Sequence, residues 1–161
     1  MRLNVPYFKQ DFIYSCGPAA VQMVLAYFHI RESESNLIEE LGVSEEMWSS
    51  NSLMIEVFRK RGLYCYVNKD GTLEQIKNFL EEGIPVVVNY IEPSAEDGHF
   101  AVVVNLTDSV IVLNDPWNGE NFVLNREEFL NRWHSKYDDA SRWYLAVSDK
   151  DFDLGKRYRP V

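Results

Sequence analysis

Gln10-Asp11-Phe12-Ile13-Tyr14-Ser15-Cys16-Gly17-Pro18-Ala19-Ala20 is the stretch on which the reading of this chain turns. A cysteine stands at the mouth of a strongly apolar helix, with a side-chain amide six residues upstream. Pro18 suits a first helical turn, where its missing N–H costs nothing. Beyond it, Ala20, Met23, Val24 and Tyr27 form one stripe at helical spacing, and Val21, Leu25 and Phe28 form a second. A helix apolar on most of its circumference belongs at the centre of a fold.

The elements around this helix follow from local chemistry. Leu3 to Phe8 reads as extended, with Pro6 against a central strand position. Helices are predicted over Ser35 to Leu41, ending at Gly42, and over Ser52 to Arg61, ending at Gly62. A third opens on the capping box Thr72-Leu73-Glu74-Gln75 and stops at Gly83, before Pro85. Leu63 to Val67 alternates as a strand. The second half is β-branched: Ile84 to Ile91, His99 to Leu106, Val110 to Asn114 and Arg142 to Val147 are strands, interrupted by a helix from Asn125 to Trp133. Helices first and strands later predict an α+β domain, a mostly antiparallel sheet packed on the central helix. With 161 residues, a single domain over 1–161 is expected. Residues 148–161 form a charged, aperiodic tail that either frays or docks.

Hydrophobic residues make up 46% and aromatics 14% of the chain, the composition of a packed protein. Sixteen Lys plus Arg against 25 Asp plus Glu give a net charge of −9, which repels phosphate backbones and anionic headgroups. Nucleic acid and membrane surfaces are therefore poor partners. No apolar run reaches about 18 residues and no leader pattern occurs, so no membrane insertion and a cytoplasmic location are expected. The two cysteines, Cys16 and Cys65, make neither a disulfide framework nor a zinc pair. Cys65, between Tyr64 and Tyr66 in a strand, reads as a packing thiol. Asp149-Lys150-Asp151-Phe152-Asp153 starts like a calcium loop, but its glycine comes one place late and no Glu sits twelfth. Neither nucleotide-binding glycine pattern is present, and no metal or cofactor is expected. Asn105-Leu106-Thr107 is a glycosylation sequon with a bearing only on secreted chains.

A thiol attacks as its thiolate, a form favoured by the positive end of a helix dipole and by a nearby imidazolium. The position of Cys16 supplies the first; the other reading of a lone cysteine is an inert core thiol. Of three histidines, His29 lies roughly 20 Å away along the same helix at 1.5 Å per residue. His134 follows a helix end, where a cation complements the dipole. His99 opens an apolar strand directly after Gly98, where packing does not call for it. The turn Thr107-Asp108-Ser109 joins two strands, and the hairpin brings His99 opposite, or within about two residues of, Asp115. A carboxylate there can fix the ring's tautomer and stabilise its charged form; a surface salt bridge or an Asp-Pro turn is the plainer alternative. Backbone N–H groups at the Cys16 helix start can face a developing oxyanion, joined by the Gln10 amide if the intervening loop folds back.

Gln10, five residues, Cys16-Gly17, then Gly98-His99 heading a valine-rich strand, then Asn114-Asp115-Pro116 together resemble the C39-like cysteine peptidases of the papain clan. The resemblance runs from about Val5 to Val147. It implies a papain-like fold, a bacterial source and a peptide or protein substrate. It also implies Cys16 as nucleophile, His99 as general base, Asp115 as orienting acid and Gln10 as oxyanion-hole amide. The family's better-known members process leaders of bacteriocin exporters after a Gly-Gly pair and commonly carry aspartate where this chain has Ser15. The exporters' membrane and ATP-binding parts are absent from these residues, so exporter function does not carry over. The same residues would also serve an acyltransferase, and a non-catalytic peptide-binding or regulatory domain could keep the fold. Substrate preference and oligomeric state are not legible in the sequence.

Overall fold

The computed structural model describes residues 2–136 and 140–161, so Met1 and residues 137–139 of the expected domain lie outside the described residues. Five helices are described: α1 (Cys16–Tyr27), α2 (Glu34–Leu41), α3 (Asn51–Arg59), α4 (Leu73–Glu81) and α5 (Arg126–Arg132). The strands are β1 (Tyr64–Asn68), β2 (Val86–Glu92), β3 (Asp97–Leu106), β4 (Val110–Asp115), β5 (Gly119–Asn125), β6 (Tyr144–Ser148) and β7 (Arg157–Tyr158). They form one antiparallel sheet in the order β5-β4-β3-β2-β6-β1-β7. The α+β architecture with a central N-terminal helix is the one expected.

Helix punctuation works as the local chemistry requires. Thr72 and Gln75 exchange side-chain and backbone hydrogen bonds at the start of α4. The Asn125 side chain accepts the Glu128 N–H at the start of α5. Gly42, just past α2, takes the left-handed conformation at φ 66° that ends a helix cheaply without a side chain. In α1, Val21, Met23, Val24 and Leu25 are completely buried, and the helix packs on β3. Ser15 does not cap α1 with its side chain; its hydroxyl instead closes the turn through the Phe12 N–H and carbonyl.

Three features were left unread or open in the sequence. First, Gly119–Asn125 is an edge strand, whose polar face kept it from reading as β. Second, the C-terminal segment docks. Phe152 is buried, Arg157 and Arg159 both pair with Asp151, and β7 extends the sheet beside β1. Third, β3 carries a bulge. Val103 faces Leu113 and Asn105 faces Val112, leaving Val104 as an extra residue, and the Val104 carbonyl accepts the Leu3 N–H at 2.8 Å.

The bulge decides which face Asp115 occupies. Val102 faces Asn114, so continuing the register sets Asp115 opposite Ala101, two residues from His99 and on the same face. Without the extra residue Asp115 would face Val102 and project to the opposite side, because strand side chains alternate with a period of two.

Candidate active site

The N-terminal run is laced to the exit of β4. The Asn114 amide donates to the Val5 carbonyl at 3.0 Å, the Tyr7 hydroxyl to the Asp115 carbonyl at 2.8 Å, and the Gln10 N–H to the Pro116 carbonyl at 3.0 Å. These contacts deliver Gln10 beside the strand end that carries Asp115. The Asp11 N–H donates to both carboxyl oxygens of buried Glu34, at 3.0 and 3.3 Å, which anchors the loop that leads into α1. Cys16 is the first residue of that helix and is 2% exposed.

Buried Cys16, His99 and Asp115 come together here. His99 Nε2 meets Asp115 Oδ1 at 2.6 Å, and the Cys16 side chain lies close enough to the ring to raise its pKa. A carboxylate only accepts, so Nε2 carries the proton and Nδ1 is the atom left for sulfur. Burial pulls the His99 pKa down, but the Cys16 sulfur and the Asp115 carboxylate outweigh it and raise it to about 10. Asp115 is fully buried, which alone would push its carboxyl up. The His99 ring, the Asn118 N–H and the Tyr90 hydroxyl outweigh that and hold it below the ordinary carboxylate value.

Asp115 has five donors. Oδ1 accepts from His99 and from the Trp117 and Asn118 N–H groups, both at 2.9 Å. Oδ2 accepts from the Tyr90 hydroxyl and, at 3.3 Å, from the Asn118 amide. The same amide reaches Glu92 Oε1 at 3.1 Å. Tyr90 is completely buried, and burial first, then the neighbouring carboxylate, raise its pKa far above the phenol range, so it keeps the proton it donates to Asp115. Tyr90 was missed in the sequence, whereas Asn118 follows Asp115-Pro116 closely enough to be read there as bordering the cleft. Tyr90 faces His99 directly across the β2–β3 pair. A lone tyrosine in the valine run Val86-Val87-Val88-Asn89-Tyr90 was the available signal.

Gln10 reaches the same site but keeps its amide for its own loop: Nε2 donates to the Phe12 carbonyl at 2.7 Å and to that of Ile13 at 3.3 Å. Gln10 Oε1, Ser49 Oγ and Asn89 Oδ1 are buried polar atoms without a partner among the described residues. All three residues line the two hollows beside the Cys16–His99 line. One hollow, of about 380 Å³, is bordered by Cys16, Trp48, Ser49, Asn89, Phe100 and Trp143. The other, of about 240 Å³, is bordered by Gln10, Ile13, Trp48, His99 and Trp117 among others. His134, by contrast, is an exposed residue bridged to Ser141. Cys65 is a packing thiol, fully buried, and burial pushes its pKa to about 12. Among the described residues no group of three or more His, Cys, Asp or Glu side chains could hold a metal ion, and no helix is long and apolar enough to cross a membrane.

Residues 2–141 match the Peptidase_C39 like family. The chain belongs to that family. Its fold is similar to the peptidase domain of Streptococcus ComA, a bifunctional ABC transporter involved in quorum sensing. That match has 18% identity and a TM-score of 0.70, and covers 90% of this chain and 97% of the other. It is equally similar to a double glycine motif protease from an AMS/PCAT transporter, crystallised with the leader peptide: 22% identity, TM-score 0.70, 91% of each chain. A C39-like protein from Bacillus anthracis matches at 13% identity and a TM-score of 0.71, over 92% of this chain and 96% of its own. No curated protein matches. This C39-like chain thus has the C39 peptidase fold, over nearly the full length of those domains.

Proposed function

We propose that this C39-like chain is a cysteine peptidase that cleaves a peptide amide bond through Cys16, His99 and Asp115. The reading is supported by the burial of Cys16 at the mouth of α1 together with the buried His99–Asp115 pair, whose contact is 2.6 Å. The thiolate, held as an ion pair with the protonated ring, attacks the substrate carbonyl. The oxyanion that develops lies at the start of α1, where backbone N–H groups and the helix dipole favour negative charge. The Gln10 amide adds a donor by releasing the Ile13 carbonyl, the longer of its two bonds. His99 Nδ1 then protonates the departing amine, leaving an acyl-enzyme on sulfur. The ring, now neutral, takes a proton from water as that water attacks the thioester, and the freed acid restores the ion pair. Asp115 holds the ring's orientation throughout.

A peptide substrate is supported by the relative crystallised with a leader peptide. Two free cysteines, Cys16 and Cys65, fit a reducing compartment such as the cytoplasm. The experiment is digestion of a mixed peptide library by wild type and Cys16→Ala, beside alkylation with iodoacetamide. New peptide ends and rapid single labelling of Cys16, with Cys65 unreacted in the native state, are expected. Identical digests from the two proteins would end the reading, and equally slow labelling of both thiols would favour a binding module.

A further inference from the structure

The two hollows beside the thiol are not equivalent. Cys16 borders the larger one, whereas His99 and Gln10 border the smaller. When the thiolate–carbonyl bond forms and the C–N bond breaks, the acyl half stays on sulfur. The amine half leaves with the proton from the His99 ring. The hollow on the ring's side therefore receives the leaving half of the substrate.

That hollow is walled by apolar side chains from three separate loops: Ile13, Trp48 and Trp117 are 68%, 37% and 46% exposed. Large apolar residues gathered this way at a cleft mark a binding surface. Its two carboxylates are already engaged. Glu92 accepts from Ser94, Ala95 and the Asn118 amide, and Asp97 holds Lys136 at 3.1 Å and the Gly98 N–H at 2.9 Å. The hollow thus offers apolar contact rather than unspent charge. At about 240 Å³ it falls below the roughly 300 Å³ where sites for drug-sized ligands begin, a scale that suits one side chain.

We infer that the residue immediately after the scissile bond is large and apolar, a leucine, methionine, phenylalanine or tryptophan seated against Ile13, Trp48 and Trp117. The inference rests on the cysteine peptidase reading and names its substrate class. Apolar contacts of this kind discriminate by about 10-fold or more.

The test reads the new amino termini released from a peptide library randomised on both sides of the cut. It then compares kcat/KM for a matched pair of substrates with leucine or glycine at the first leaving-side position. Large apolar residues should dominate the Cys16-dependent termini, and wild type should prefer leucine by about 10-fold or more. Trp117→Ala and Ile13→Ser, both at exposed positions, should each lower the leucine-to-glycine ratio several-fold. Cys16-dependent termini with no apolar preference, or a ratio unmoved in both variants, would overturn the inference and leave the peptidase reading standing. Termini that do not depend on Cys16 would remove both.

Discussion

Replacing Tyr90 by phenylalanine removes one oxygen from a site with no solvent to replace it. Tyr90 and Asp115 are both 0% exposed, and the hydroxyl donates to Asp115 Oδ2, which keeps only the Asn118 amide at 3.3 Å once it is gone. A hydrogen bond to a charged group contributes about 1.5–3 kcal/mol. The ring stays in place, so little cavity cost is added, and Tyr90→Phe should lose that amount at pH 7. In a domain of this size the loss corresponds to a melting point lower by about 3–12 °C. The sign with pH follows from the depressed pKa of Asp115. Its contribution is present above the ordinary value of 3.8 and is lost as pH falls through the folded-state pKa. The variant carries a weaker depression, so its deficit should be full near neutral pH and shrink as Asp115 becomes protonated in both states. Urea unfolding at pH 7 and thermal scans from pH 3 to pH 7 measure both features. A loss below about 0.5 kcal/mol, far under the range for such a bond, or a deficit independent of pH, would refute the assignment of Tyr90 as a prop for the Asp115 charge.

Four further outcomes are expected. The rate of peptide cleavage should fall as pH rises through about 10, where His99 gives up the proton the leaving amine needs. Asp115→Asn removes an anionic partner of the ring and should move that alkaline limb to lower pH in a kcat/KM profile. Burial and the nearby Asp11 carboxyl raise the Glu34 pKa to about 7 from 4.5, against the pull of the Asp11 N–H. Stability from its neutral form is full below pH 4.5 and is lost as pH rises through 7. Glu34→Gln should therefore melt higher than wild type at pH 8 and change little at pH 4. A Cβ at Gly17 would collide with the Ser49 Oγ and lie 2.5 Å from its Cβ. Gly17→Ala should cost about 1–3 kcal/mol by overpacking, and Ser49→Gly in the same chain should restore most of it in a denaturation curve.

What the sequence disclosed was what local chemistry fixes. Pro18 and the two apolar stripes marked α1, the Thr72–Gln75 box opened α4, and the valine-rich runs marked the inner strands. The approach of His99 to Asp115 was legible because a short turn joins their strands. Tyr90 was hidden because its partner is reached across a different strand pair, and the contact of Asn118 with Asp115 because nothing in the sequence distinguishes a loop amide at a cleft border from one that holds a carboxylate. The docking of the tail turns on Phe152 finding a core formed by residues far away in the chain, and its charges say nothing of that. The bulge at Val104 left no mark in a run of valines, where adding or removing one residue preserves the pattern.

That bulge turns the path from residue 99 to residue 115 into a counted length. The loop at Thr107-Asp108-Ser109 can lengthen or shorten without disturbing His99, since the pairing of Val102 with Asn114 is set above it. A single insertion or deletion between Ala101 and Val104 would instead swing the carboxylate to the far side of the sheet and leave the ring unpartnered in a chain that still folds as a hairpin. Drift in this protein should accordingly gather at the loop and stay out of the four residues from Ala101 to Val104.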